Sequence, residues 1–155
     1  MRQIGSRLIM DELPEILHPV HTSLIVVDMQ NDFVSDKGSL ACAGNSVAAA
    51  QKMLPTLRYL LGHARELKIL VIHLQYSTLP GYLTDSDSWL YYNLRDIATP
   101  DMCVRGSWGE EFVEGLEPMA DELVVTKHRS SGFVNTTLDQ VLRSNRIRTV
   151  VVAGV

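Results

Sequence analysis

The chain has 155 residues, 46% of them hydrophobic and 21% charged, with a net charge of −4 from 14 Lys+Arg and 18 Asp+Glu. This is ordinary globular composition for one domain, and it excludes an intrinsically disordered chain. The acidic balance gives no basic footprint for nucleic acid and no polybasic membrane anchor. Two cysteines, Cys42 and Cys103, are too few for a disulfide framework or a Cys-based zinc site, which fits a reducing, cytoplasmic setting.

Residues 1–21 mix Arg2, Arg7, Asp11, Glu12 and Glu15 with scattered apolar residues. They read as an N-terminal arm without the continuous apolar stretch of a signal peptide. The first strand is predicted over Ser23–Val27. A long helix is predicted after Asn45 as its cap, with Val47, Ala50, Leu54, Leu57, Leu61 and Ala64 near the 3.6 period, and with a kink or a start at Pro55. Ile69–Leu74 reads as the second strand. Residues 76–106 form a long, loop-rich stretch with Trp89, and such stretches carry function in compact domains. A short helix is expected over Glu110–Leu116, then a third strand over Glu122–Val125. A helix between Val134 and Arg146 follows, with Leu138, Val141 and Leu142 as its stripe. The last strand spans Thr149–Ala153.

The four strand runs are apolar throughout rather than alternating, the pattern of parallel strands covered on both faces. Strand–helix alternation implies right-handed crossovers and an α/β layered fold. Residues 150–155 read as a buried strand with no covering element after it. The expectation is therefore an N-terminal portion of a longer domain, 22–155, truncated before its last strands.

Asp28 directly follows the first strand in VDMQNDF, and Lys127 follows the third in TKHRSSGF. Both belong at the C-terminal rim of a parallel sheet, where ligands bind. Alone, Asp28 reads equally as a turn cap and Lys127 as a solvated loop cation; together they make an ion pair plausible. A phospho-receiver would carry two adjacent acids after its first strand. A haloacid-dehalogenase-type phosphatase would carry a second Asp where Gln30 stands. Neither GxGxxG nor GxxxxGK[ST] occurs. His73 reads as a core histidine, His18 and His21 as surface residues, and His128 is ambiguous. Small, buried packing roles are expected for Cys42 and Cys103.

The succession LIVVDMQNDF, RGSWG, KHRSSGFVNTTLDQVLRS and VVVAGV resembles the isochorismatase-like cysteine hydrolases, over about residues 22–155. These include nicotinamidases, N-carbamoylsarcosine amidases and ureidoacrylate amidohydrolases. The resemblance implies a three-layer α/β/α fold with a parallel, Rossmann-like sheet, about four of its six strands lying in this chain. It assigns Asp28 and Lys127 to the family's catalytic Asp and Lys. The family cysteine would fall a few residues beyond Val155. It further implies Phe33 as a wall of the substrate site; Gln75 at the end of the second strand and Trp89 in the long loop are further substrate-binding candidates.

The metal-binding histidines of nicotinamidases have no counterpart after the second strand, where Gln75-Tyr76-Ser77-Thr78 stands. No metal and no cofactor is expected. The implied activity is thioester-forming hydrolysis of a C–N bond in a small amide, carbamoyl or ureido compound, with a homo-oligomeric assembly. Two alternatives stay open: a vinyl-ether hydrolase of the isochorismatase type using the Asp without a Cys, and a non-catalytic binding or assembly member of the fold.

Overall fold

The structure, a computed structural model, describes residues 1–97 and 99–155. The arm opens with an antiparallel hairpin of β1 (Arg2–Ile4) and β2 (Arg7–Ile9), then a helical turn α1 (Leu13–Ile16). β3 (Thr22–Val27) enters the domain and is followed by two short helices, α2 (Asn31–Val34) and α3 (Ser39–Cys42). The long helix α4 (Ala48–Glu66) leads to β4 (Leu70–Tyr76). The segment beyond holds a six-residue helix, α5 (Asp87–Tyr92), and a single π turn over Asn93–Ile97. β5 (Leu123–Lys127), α6 (Leu138–Ser144) and β6 (Thr149–Gly154) complete the order.

β3, β4, β5 and β6 form one parallel sheet in the order β5-β4-β3-β6. Successive side chains of a strand point to opposite faces, so each strand feeds two cores. Leu24, Val26 and Val71 pack with Leu57, Leu61 and Ala64 of α4. Ile25, Ile72, Leu74 and Val125 pack with Leu138 and Leu142 of α6. Helices thus cover both faces, which is why the central strands read as unbroken apolar runs. β6 departs from that pattern: among the described residues it pairs only with β3, and Val150 and Val152 are exposed while Val151 and Ala153 pack inward.

Three local expectations are corrected. The segment after Trp108 is a 3-10 turn (Trp108–Glu110), not a helix over Glu110–Leu116. Phe112 bridges Gln30 in extended form, the Val113 N–H donates to the Met29 carbonyl, and Gly115 adopts φ +79°. Tertiary backbone pairing there outweighs local helical preference. Asn45 does not cap α4; its carboxamide donates to the carbonyls of Leu40 and Ile97, and the helix starts after Val47. The helix does not start just before Pro55: α4 runs through it as one element, with Ala50, Leu57, Leu61 and Ala64 as its buried stripe.

Candidate active site

Parallel strands bring their C-terminal ends to one rim, and the site is built there. Asp28 is the first residue past β3. Its N–H still donates to the Leu74 carbonyl of β4, but its φ of +49° turns the chain out of the strand. A left-handed conformation at a non-glycine residue is uncommon and concentrates at functional positions. Gly154 permits the neighbouring approach of β6: at φ +136°, a Cβ there would sit 2.1 Å from the Val27 carbonyl oxygen. The adjoining Val155 N–H donates to that same oxygen at 3.1 Å.

Lys127 ends β5, paired in register with Tyr76 of β4. Its Nζ lies 2.6 Å from Asp28 Oδ2, donates to the Arg129 carbonyl at 3.2 Å, and stands 5.2 Å from the centre of the Tyr76 ring. Both side chains are buried: 1% of the Lys127 side chain and 10% of that of Asp28 are exposed. Asp28 Oδ1 is sealed from solvent and accepts no hydrogen bond. Burial raises the Asp28 carboxyl to about 6, against the opposing pull of Lys127. Desolvation disfavours the carboxylate more than the nearby ammonium favours it. A carboxyl poised there can take up and return a proton near neutral pH.

Tyr76 is held in place from below. Gln30, fully buried, donates through Nε2 to the carbonyls of Tyr76 and Glu110 and accepts the Tyr76 N–H on Oε1, all at 2.8 Å. The Tyr76 hydroxyl accepts from Trp89 Nε1 at 3.2 Å, and its ring meets Phe33 edge-on.

These groups enclose a cavity of about 240 Å3 lined by Asp28, Phe33, Tyr76, Trp89, Tyr92, Asn93, Ile97, Met102, Lys127, Ser130 and Val155. Four of the five residues singled out from sequence, Asp28, Lys127, Phe33 and Trp89, line it together. Gln75 does not: its side chain donates to the Glu110 carbonyl at 3.3 Å, because alternation along β4 sends Tyr76, not Gln75, to the pocket. Sequence reasoning missed Tyr76, Tyr92 and Asn93. Tyr76 carries a legible signal, since it ends a strand one residue past Gln75. Asn93 is 3% exposed, and its carboxamide oxygen has no partner in the structure.

The cysteines lie elsewhere. Cys103 is fully buried, its N–H donating to Asp32 at 2.7 Å; burial and the neighbouring carboxylates push its thiol far up. Cys42 is exposed at the C-terminal end of α3, contrary to the packing role expected for it. His73 is a core residue: its Nε2 meets Glu122 at 3.0 Å and its ring packs against Phe112, while Nδ1 has no partner. Among the described residues, no group of three His, Cys, Asp or Glu is placed to hold a metal ion, and no helix is long and apolar enough to cross a membrane.

Residues 22–155 match the Isochorismatase domain. The chain belongs to the isochorismatase family. Among members of this family it is similar to the ureidoacrylate amidohydrolases RutB of Stutzerimonas stutzeri (strain A1501) and Variovorax paradoxus (strain S110), each 34% identical over 152 residues and 92% of this chain. It spans 61% and 60% of their lengths. The isochorismatase fold is matched by a cysteine hydrolase structure from Pseudomonas syringae pv. phaseolicola 1448A, with a TM-score of 0.74, 30% identity, and coverage of 98% of this chain and 65% of that one. N-carbamoylsarcosine amidase from Thermoplasma acidophilum follows, with a TM-score of 0.66, 28% identity, and coverage of 86% of this chain and 66% of that one.

Proposed function

We propose that the protein is a cysteine-dependent amidohydrolase that cleaves a C–N bond of a small amide, carbamoyl or ureido compound through a thioester. The observation that carries this reading is the buried Asp28–Lys127 pair in a small aromatic cavity, with the carboxyl raised to about 6. The hydrolase names of the relatives support the reaction class.

The nucleophile in this reading is a cysteine that follows Val155 in the full-length protein. Val155 lines the cavity together with Asp28, and its N–H donates to the Val27 carbonyl. The roles divide by chemistry. Asp28 removes the thiol proton, and the Lys127 ammonium favours the thiolate. The thiolate sulfur attacks the carbonyl carbon, and its electron pair moves to oxygen. Backbone N–H groups after β6 hold that oxyanion, an arrangement worth roughly 3–4 kcal/mol per donor in acyl transfer. On collapse the C–N bond breaks and Asp28 returns its proton to the leaving nitrogen. Water, deprotonated by Asp28, then releases the acid and restores the thiol.

The test is ammonia release by the full-length protein from a panel of ureido, carbamoyl and simple amide compounds, with intact-mass trapping of the acyl-enzyme. Ammonia release with an acyl adduct on the cysteine is expected. Absence of any amide turnover, with vinyl-ether hydrolysis instead, refutes the reading.

A further inference from the structure

Arg129 stands two residues beyond Lys127, and its backbone carbonyl accepts from the Lys127 ammonium. Its side chain serves a different part of the molecule. The guanidinium donates to the Thr84 carbonyl at 2.6 Å, lies 3.4 Å from Asp85 Oδ1, and stacks over the Trp89 ring at 5.2 Å from its centre. The Asp85 side chain is 2% exposed, and its second oxygen is sealed without a hydrogen-bond partner. Arg129 is therefore the cation that compensates a buried carboxylate on the segment above the pocket.

That segment has little to hold it by itself. α5 is six residues long, too short for a helix to persist on local bonds alone. Yet it carries Trp89, which donates to the Tyr76 hydroxyl, and Tyr92, which stacks on Trp89 at 5.3 Å. One residue thus touches both parts of the site, its carbonyl at the Lys127 ammonium and its side chain at the aromatic wall.

We propose that Arg129 is a positioning residue, a latch that fastens Thr84–Tyr92 against the pocket and so sets the place of the Trp89 wall. The latch rests on the reading of the Asp28–Lys127 cavity as the active site. Its consequence is a division of labour: Arg129 governs how tightly substrate is held, while Asp28 and Lys127 govern the chemistry. The planar fork matters here, since Lys supplies charge to Asp85 but neither the directed bond to Thr84 nor the stacking on Trp89.

The test uses the full-length enzyme and three readouts: KM against kcat on its best amide substrate, emission in a background with Trp89 as the sole tryptophan, and amide hydrogen exchange over residues 79–97. Arg129→Ala is expected to raise KM at least tenfold, with a much smaller fall in kcat. It should also red-shift Trp89 emission and speed exchange in that segment. Arg129→Lys should recover part of the exchange protection but little of the emission, and it carries the test should the alanine variant fail to fold. A folded variant with wild-type emission and exchange overturns the latch, and so does a loss confined to kcat. If the wild type hydrolyses no amide, the amidohydrolase reading fails, while emission and exchange still decide the latch.

Discussion

Asp28 and Lys127 meet at 2.6 Å across an intervening strand: β4 lies between β3 and β5, and its last residue, Tyr76, supplies the ring beside the ammonium. A buried ion pair is weak evidence for stability, because desolvation offsets much of the attraction. The proposed function gives this pair a use at the strand rim, in proton transfer.

Replacing Asp28 by Asn keeps the shape and removes the proton acceptor. In the full-length protein, kcat/KM is expected to fall by about a thousandfold or more, the scale seen when one member of a catalytic unit is removed. Ammonia release measures the loss, and a retained cooperative thermal transition separates it from unfolding.

The raised Asp28 carboxyl also fixes a pH dependence. With the carboxylate as the base of the proposed reaction, activity should fall on the acid side with an apparent midpoint near 6. The stability effect has the opposite sense. The unfolded carboxyl ionises near 3.8 and the folded one near 6. Between these values ionisation favours the unfolded chain, and stability declines as pH rises, by about 3 kcal/mol in all. Denaturant unfolding at pH 4 and pH 7, compared with Asp28→Asn, should show this decline in the wild type only.

Gln30→Leu should disturb the site without touching it. The substitution removes the bonds of Gln30 to the Tyr76 N–H and carbonyl, and leaves the Glu110 carbonyl with the longer bond from Gln75. Buried unsatisfied groups cost about 1–3 kcal/mol each. A loss of about 2–4 kcal/mol in denaturant unfolding is expected, with a fall in kcat as Tyr76 shifts against Lys127. Wild-type stability would refute the role given to Gln30.

Glu122 supports the opposite end of the sheet. Burial pushes its carboxyl up, but the bonds from Arg65, the Met119 N–H and His73 outweigh burial and hold it at about 2. A depressed carboxyl contributes stability above its unfolded value, near 4.5, and that contribution fades as pH falls towards 2. Glu122→Gln should therefore destabilise the protein at pH 7, with the gap from wild type closing at pH 2–3. Thermal unfolding across that range checks it.

Cys42→Ser and Cys103→Ala should each leave amide turnover in place. Cys42 is exposed outside the cavity, and burial holds Cys103 as a neutral thiol. The second variant should lose about 1–2 kcal/mol of stability through the small void it leaves. Abolished turnover in a folded variant would make that cysteine the nucleophile.

The sequence by itself determined the central parallel strands, because residues buried on both faces of a sheet must be apolar in unbroken runs such as Leu24–Val27; the equally apolar run of β6 has one face exposed at Val150 and Val152. It also placed Asp28 and Lys127 at one rim, because parallel strands deliver their C-terminal residues there, and the family resemblance assigned them to one set; their contact at 2.6 Å came from the structure. Only the tertiary structure decided the walls of the cavity. Which of Gln75 and Tyr76 faces the pocket depends on the pleat phase of β4, and the position of Tyr76 depends on the buried clip from Gln30. Trp89, Tyr92 and Asn93 sit on a segment with weak local preference that meets Arg129 and Tyr76, distant in the chain. The same physics explains the missed extended stretch at Phe112: its backbone partners are Met29 and Gln30, and no local pattern of spacing encodes a partner so far along the chain.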